Sequence, residues 1–136
     1  MSAFSTWMNN RIVGRIRKRG GTFMGTRLLV LNTVGKKSGA KRANPVAWFP
    51  GDDGSWLIVA SAGGAARNPA WFYNIGAHPE AVTIDVDRAN VAVLSKQLDG
   101  ADRVRAWKSI VEASPRFSQY ESKTDRVIPV IQLTRR

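Results

Sequence analysis

Two short stretches carry most of the chemistry this sequence offers. The first is Gly35-Lys36-Lys37-Ser38-Gly39-Ala40-Lys41-Arg42, with four cations and two glycines in eight residues. Glycines let backbone N–H groups converge on an anion, while lysine and arginine neutralise it. Alone, the segment reads either as a cradle for an anionic ligand or as a solvated basic turn. The second is Ser61-Ala62-Gly63-Gly64, followed by Arg67 and by Asn68-Pro69. Asn68 suits a helix N-cap and Pro69 a first helical position. A strand end, paired glycines, a cation and a helix N-terminus make a candidate anion site. Paired glycines also let a flat ring approach the backbone. An ordinary strand-to-helix loop is the other reading.

Neither stretch is a standard nucleotide loop. The triphosphate pattern needs glycine five residues after the first, and Ala40 stands there. The dinucleotide pattern G-x-G-x-x-G is absent. The chain has no cysteine and one histidine, His78. That removes disulfides, thiolate metal sites and multi-histidine metal sites, so no metal is expected.

Charge narrows the partner. Residues 1–42 hold ten Lys/Arg and no acid, whereas residues 43–136 hold eleven basic and ten acidic side chains. A basic front on a nearly neutral body suits a local anionic partner: a phosphorylated cofactor, a membrane surface, or both. Nucleic acid is not expected, because single-strand binders interleave aromatics with cations and Lys36–Arg42 holds none.

These residues need elements to position them. At 136 residues the chain reads as a single domain. Residues 4–18 predict a helix with Met8, Ile12 and Ile16 in one row and Val13 beside it. Arg11, Arg15 and Lys18 flank that row, with Trp7 at its border. Strands are expected at 27–33, 44–49, 55–61, 82–86, 91–94 and 127–133, and further helices at 69–76 and 101–113. The run "SWLIVAS" is apolar enough to be buried on both faces. Short connections make the sheet largely antiparallel. The expectation is an α+β fold: a small barrel or strongly curled sheet with two to three helices outside. No apolar run is long enough to span a bilayer, and no signal-peptide pattern is present, which points to the cytoplasm.

In order along the chain, Gly35–Gly39 with Arg42, Ser61–Gly64, Asn68-Pro69-Ala70-Trp71, Asn74 and Ala77-His78-Pro79 resemble the deazaflavin-dependent nitroreductase and quinone reductase family of actinobacteria. The resemblance runs from about Leu28 to Leu133 and includes "YESKTDRVIPV". It implies a mostly antiparallel, six-stranded split β-barrel and reduced coenzyme F420 as hydride donor. Residues 1–26 would be an N-terminal basic helix and linker, and 27–136 the cofactor-binding barrel. Lys36, Lys37, Ser38, Lys41 and Arg42 match the positions that hold the coenzyme's phosphodiester and oligoglutamate tail. Ser61, Ala62, Gly63 and Gly64 would lie against the phosphate and ring, with Arg67 adding charge. Asn74 matches the family signature, and Trp71 is either a ligand contact or core. Ala62 stands where many relatives carry lysine. Of the tyrosines that often line the acceptor pocket, only Tyr120 is kept, Ser114 and Phe117 occupying the other places.

The implied reaction is hydride transfer to a quinone, an activated enone or a nitroaromatic, with Tyr120 orienting the acceptor or delivering a proton. The other reading is a lipid- or fatty-acid-binding barrel without redox activity. The first helix, with cations beside an apolar row, suggests contact between residues 4–18 and an anionic membrane at the inner face of the cell membrane. A monomer is expected.

Overall fold

A computed structural model describes residues 3–23 and 25–136. The elements are α1 (Ala3–Arg19), β1 (Thr22–Phe23), β2 (Thr26–Val34), β3 (Lys41–Ala47), β4 (Phe49–Pro50), β5 (Trp56–Val59), α2 (Ala70–Ala77), β6 (Thr83–Val86), β7 (Ala89–Gln97), α3 (Gly100–Ala113), α4 (Arg116–Ser122) and β8 (Val130–Arg135). The six strands of four or more residues are the six expected; β1 and β4 are two-residue additions. Helix α4 was not expected, because Ser114-Pro115 hides its start and its seven residues show only Phe117 buried.

Every strand pairing is antiparallel. β2 pairs with β1, β3 and β6, and β7, β8, β5 and β4 follow on from β6. Asp87 and Arg88 both take positive φ, 50° and 64°, so the β6–β7 hairpin closes in two residues.

The sheet curls around Leu29, Leu31, Ile58, Ile84, Val93 and Leu133, with Trp71 and Ile75 of α2 packed into the same core. The other face of β5 and β8 offers Leu57, Val59 and Val130 to Ile110 of α3 and Phe117 of α4. All four residues of β5 are therefore buried, as its apolar run predicts.

Helix α1 packs outside, placing Val13 and Ile16 on Val30. Arg17 donates to Asp85 at 2.9 Å and to Asn32 at 2.7 Å, and Asn9 donates to the Ala43 carbonyl. The expected row Met8–Ile12–Ile16 is divided: Ile16 is buried, while Met8 and Ile12 stay exposed with Trp7. The helix docks along Asn9, Val13 and Ile16 because Asn9 and Arg17 find partners on β3, β2 and β6 at that rotation.

The barrel stays open along one seam. β3 touches β5 without hydrogen bonding to it. The second candidate segment lies at that seam, directly after β5.

Candidate active site

The basic turn is a tight connection between β2 and β3. Gly35 N–H donates to Ala40 O at 2.8 Å, and Gly39 N–H donates to Gly35 O at 3.0 Å. Gly39 has φ +69°, a left-handed conformation that a side chain would strain. Ser38 Oγ accepts the Ala40 N–H at 3.1 Å, so it braces the turn. Lys36, Lys37, Lys41 and Arg42 are exposed. No carboxylate among the described residues pairs with any of them. Four like charges held close without counter-ions favour an anion.

Asn74 fixes this turn from below. It is buried; its amide oxygen accepts the Lys36 N–H at 2.9 Å and its NH₂ donates to Thr33 Oγ1 at 3.2 Å. The structure thus gives Asn74 an internal role beneath the turn.

The second segment forms a sharp loop. Ser61 is right-handed helical, and Ala62, Gly63 and Gly64 follow with φ of 47°, 65° and 85°. A Cβ on Gly64 would sit 2.9 Å from the Tyr120 carbonyl oxygen, whereas one on Gly63 would meet nothing within 4 Å. Gly64 therefore lets α4 pack against the loop, and Gly63 leaves an open face beside it. Asn68 does not cap α2: Pro69 takes the N-cap position, and Asn68 Oδ1 accepts from Arg126 Nη1 at 2.7 Å. Arg67 is exposed and lies away from the cleft lining.

A cleft of about 270 Å³ opens at the seam, walled by Val46 of β3, Ser61, Ala62, Gly63, Trp71 and Tyr120. Trp71 is 7% exposed, packs in the barrel core and also forms a cleft wall. Tyr120 stacks edge-on against Phe117 at 5.3 Å with the Lys123 ammonium 5.9 Å from its ring. Its hydroxyl has no partner among the described residues, which leaves the Oη–H free for a ligand.

The structure thus sorts the candidate residues into two groups. Ser61, Ala62, Gly63, Trp71 and Tyr120 share the cleft, with Gly64 packed behind it against α4; Lys36, Lys37, Lys41 and Arg42 share the turn, with Ser38 and Asn74 supporting it. Arg42 and Val46 are four residues apart on β3, roughly 13 Å along an extended strand. The groups are coupled through α2: Tyr73 receives the Lys36 ammonium at 5.9 Å over its ring and the Asn68 amide at 3.5 Å on its hydroxyl. Sequence reasoning missed Arg116, which lines the cleft, and Arg126, which holds the loop. Arg126 stands inside the "YESKTDRVIPV" stretch of the family resemblance, which was its available signal; Arg116 shows only a cation among polar residues, which is too common to single out.

An open-seamed antiparallel barrel, with a ring-sized cleft at the seam and a cation cluster a strand's length away, defines a split-barrel protein suited to a planar ring with a long anionic tail. The sequence profile of the F420H(2)-dependent quinone reductase family matches residues 3–135. The chain belongs to that family. It is 38% identical over 111 residues to an F420H(2)-dependent quinone reductase of Mycobacterium tuberculosis, covering 79% of this chain and 73% of the relative. Among solved structures it is similar to an F420-H2 dependent reductase, at 34% identity and TM-score 0.69, covering 79% of this chain and 93% of that one. It also resembles a chain described as a domain-swapped dimer, at 31% identity and TM-score 0.70, covering 97% and 100%. The protein is an oxidoreductase, and its cofactor is coenzyme F420.

The residues fit that coenzyme. Open space over Gly63 beside Trp71 and Tyr120 suits a flat ring. The unpaired cations of the turn suit a phosphodiester and carboxylates.

Proposed function

We propose that the chain reduces a quinone at the cleft, with the Lys36–Arg42 turn gripping the coenzyme's anionic tail and the Ser61–Gly64 loop, Trp71 and Tyr120 enclosing its ring. The observation that carries this reading is the pairing of the two groups on α2: Trp71 walls the cleft and Asn74, one turn on, fixes the basic turn. Bound in this way, the reduced coenzyme supplies a hydride.

The chain's own residues do the rest. Trp71 and Gly63 limit the ring to one orientation, and Val46 and Trp71 keep water from one side. Lys37 and Arg42, being exposed and unpaired, hold the tail and draw the anionic ligand in. Tyr120 donates its Oη proton to the acceptor's carbonyl oxygen as that oxygen gains charge. The acceptor thereby gains a hydride and a proton, a quinone becoming a hydroquinone, and Tyr120 recovers its proton from solvent. Activated enones and nitroaromatics are electron-poor in the same sense and fall within the proposed acceptor range.

We extend the proposal to α1. Trp7, Met8 and Ile12 are exposed beside Arg11, Arg15 and Lys18, a pattern that suits the interface of an anionic bilayer where apolar quinones reside. Among the described residues no helix is long and apolar enough to cross a membrane.

The deciding experiment is an equilibrium titration with oxidised and reduced coenzyme. Wild-type protein is expected to bind both, and the double variant Lys37→Ala/Arg42→Ala to bind at least about tenfold more weakly, or about 1.4 kcal/mol. Wild-type protein that binds neither form, or a double variant that binds as tightly as wild type, overturns the reading. For α1, sedimentation with phosphatidylglycerol vesicles should fall for Trp7→Ala with Arg15→Ala; equal sedimentation rejects the contact.

A further inference from the structure

Arg126 lies outside both candidate segments, between α4 and β8, yet it makes more side-chain hydrogen bonds to the glycine loop than any other described residue. Its Nε donates to Ala65 O at 2.9 Å and its Nη1 to Asn68 Oδ1 at 2.7 Å. Its Nη2 donates to Ala60 O at 3.2 Å and to Ser61 O at 2.8 Å. One planar fork therefore gathers acceptors from both ends of the loop, which the point charge of a lysine could not do. No carboxylate among the described residues neutralises it.

The peptide groups explain the consequence. The Ala60–Ser61 and Ser61–Ala62 units are trans, as are all the peptide bonds described. In a planar trans peptide the N–H points opposite to the C=O. With the Ala60 and Ser61 carbonyls turned onto Arg126, the N–H groups of Ser61 and Ala62 turn away from it. Strand geometry agrees: Ala60 N–H donates to Pro129 O on the β8 side, so the next N–H faces the seam. Neither the Ser61 nor the Ala62 N–H has a partner among the described residues. Ser61 is right-handed and Ala62 left-handed, the succession that makes neighbouring amides converge on an anion. Both residues line the cleft.

We infer that Arg126 is a positioning residue: it holds the loop carbonyls on one side and so presents the Ser61 and Ala62 amides to an anionic or electron-rich oxygen of the bound coenzyme on the other. The inference rests on the proposed function and adds to it the residue that orders the loop.

The test uses the full chain, oxidised coenzyme F420 and ¹⁵N-labelled protein. On titration, the Ser61 and Ala62 amide resonances of the wild type are expected to shift. Arg126→Ala and Arg126→Lys are each expected to lose about tenfold or more in affinity. Millimolar guanidinium should restore the alanine variant, whereas ammonium should not; a merely structural loss would not discriminate between them. Wild-type affinity in Arg126→Ala, or coenzyme binding that leaves both amides unshifted, overturns the inference while the proposed function stands. If the variants do not fold, the wild-type shifts decide alone. A wild type that binds no coenzyme overturns the proposed function, and this inference with it.

Discussion

The side-chain oxygen of Asn74 sits 2.9 Å from the backbone nitrogen of Lys36, across 38 residues of sequence. Asn74 also donates to Thr33, whose strand partner is Arg42, so one buried amide ties the basic turn to the strand that leads into it. Asn74→Ala would leave the Lys36 N–H and the buried Thr33 hydroxyl without partners. Such orphans cost about 1–3 kcal/mol. A lowered melting temperature together with weaker coenzyme binding is expected. Unchanged affinity in a destabilised variant would show that the turn keeps its shape unaided.

Tyr120→Phe keeps the edge-on contact with Phe117 and removes only the hydroxyl. Turnover with a quinone is expected to fall by about tenfold or more, as for loss of a general acid that solvent partly replaces. Coenzyme affinity should hold. Steady-state kinetics check this, and equal kcat removes Tyr120 from the proton step.

The paired glycines should separate into two roles. Gly64→Ala meets the Tyr120 carbonyl oxygen at 2.9 Å and a φ of +85°. Left-handed strain and overpacking together predict a loss of about 2–5 kcal/mol. Gly63→Ala meets no neighbour and has φ +65°, which predicts only about 1–2 kcal/mol. Its new methyl group faces the cleft, so coenzyme affinity should fall more than stability does. Chemical denaturation and coenzyme titration of the two variants give the comparison.

Asp85 links α1 to the barrel through Arg17. Burial by itself would raise its carboxyl, but hydrogen bonds from Asn32, Asn90 and Arg17, with the Arg17 charge, outweigh burial and hold it below the ordinary carboxylate range. A folded value below the unfolded one means the anion's contribution is complete above the ordinary range. It fades as pH falls through the folded value. Wild-type protein should therefore lose more stability than Asp85→Asn on acidification from pH about 5 downward. Parallel acid-unfolding curves for the two proteins would exclude this pair as an anchor of α1.

Local chemistry in the sequence was enough for the strands, two of the loops and the family. The apolar run of β5 demands burial on both faces wherever it packs. The residues of the basic turn must be exposed, because unpaired lysines and arginines cannot be buried. The order of glycines, asparagine and tryptophan carried the resemblance. Tertiary structure alone decided which face of α1 docks, because Val13 wins over Met8 and Ile12 only when Asn9 and Arg17 meet partners 34 and 68 residues away. It alone made Asn68 an acceptor for Arg126 in place of a helix cap. It also turned Asn74 inward beneath the basic turn. These assignments depend on which donors and acceptors the folded chain brings within hydrogen-bond reach. Residue type and spacing along one segment do not encode that.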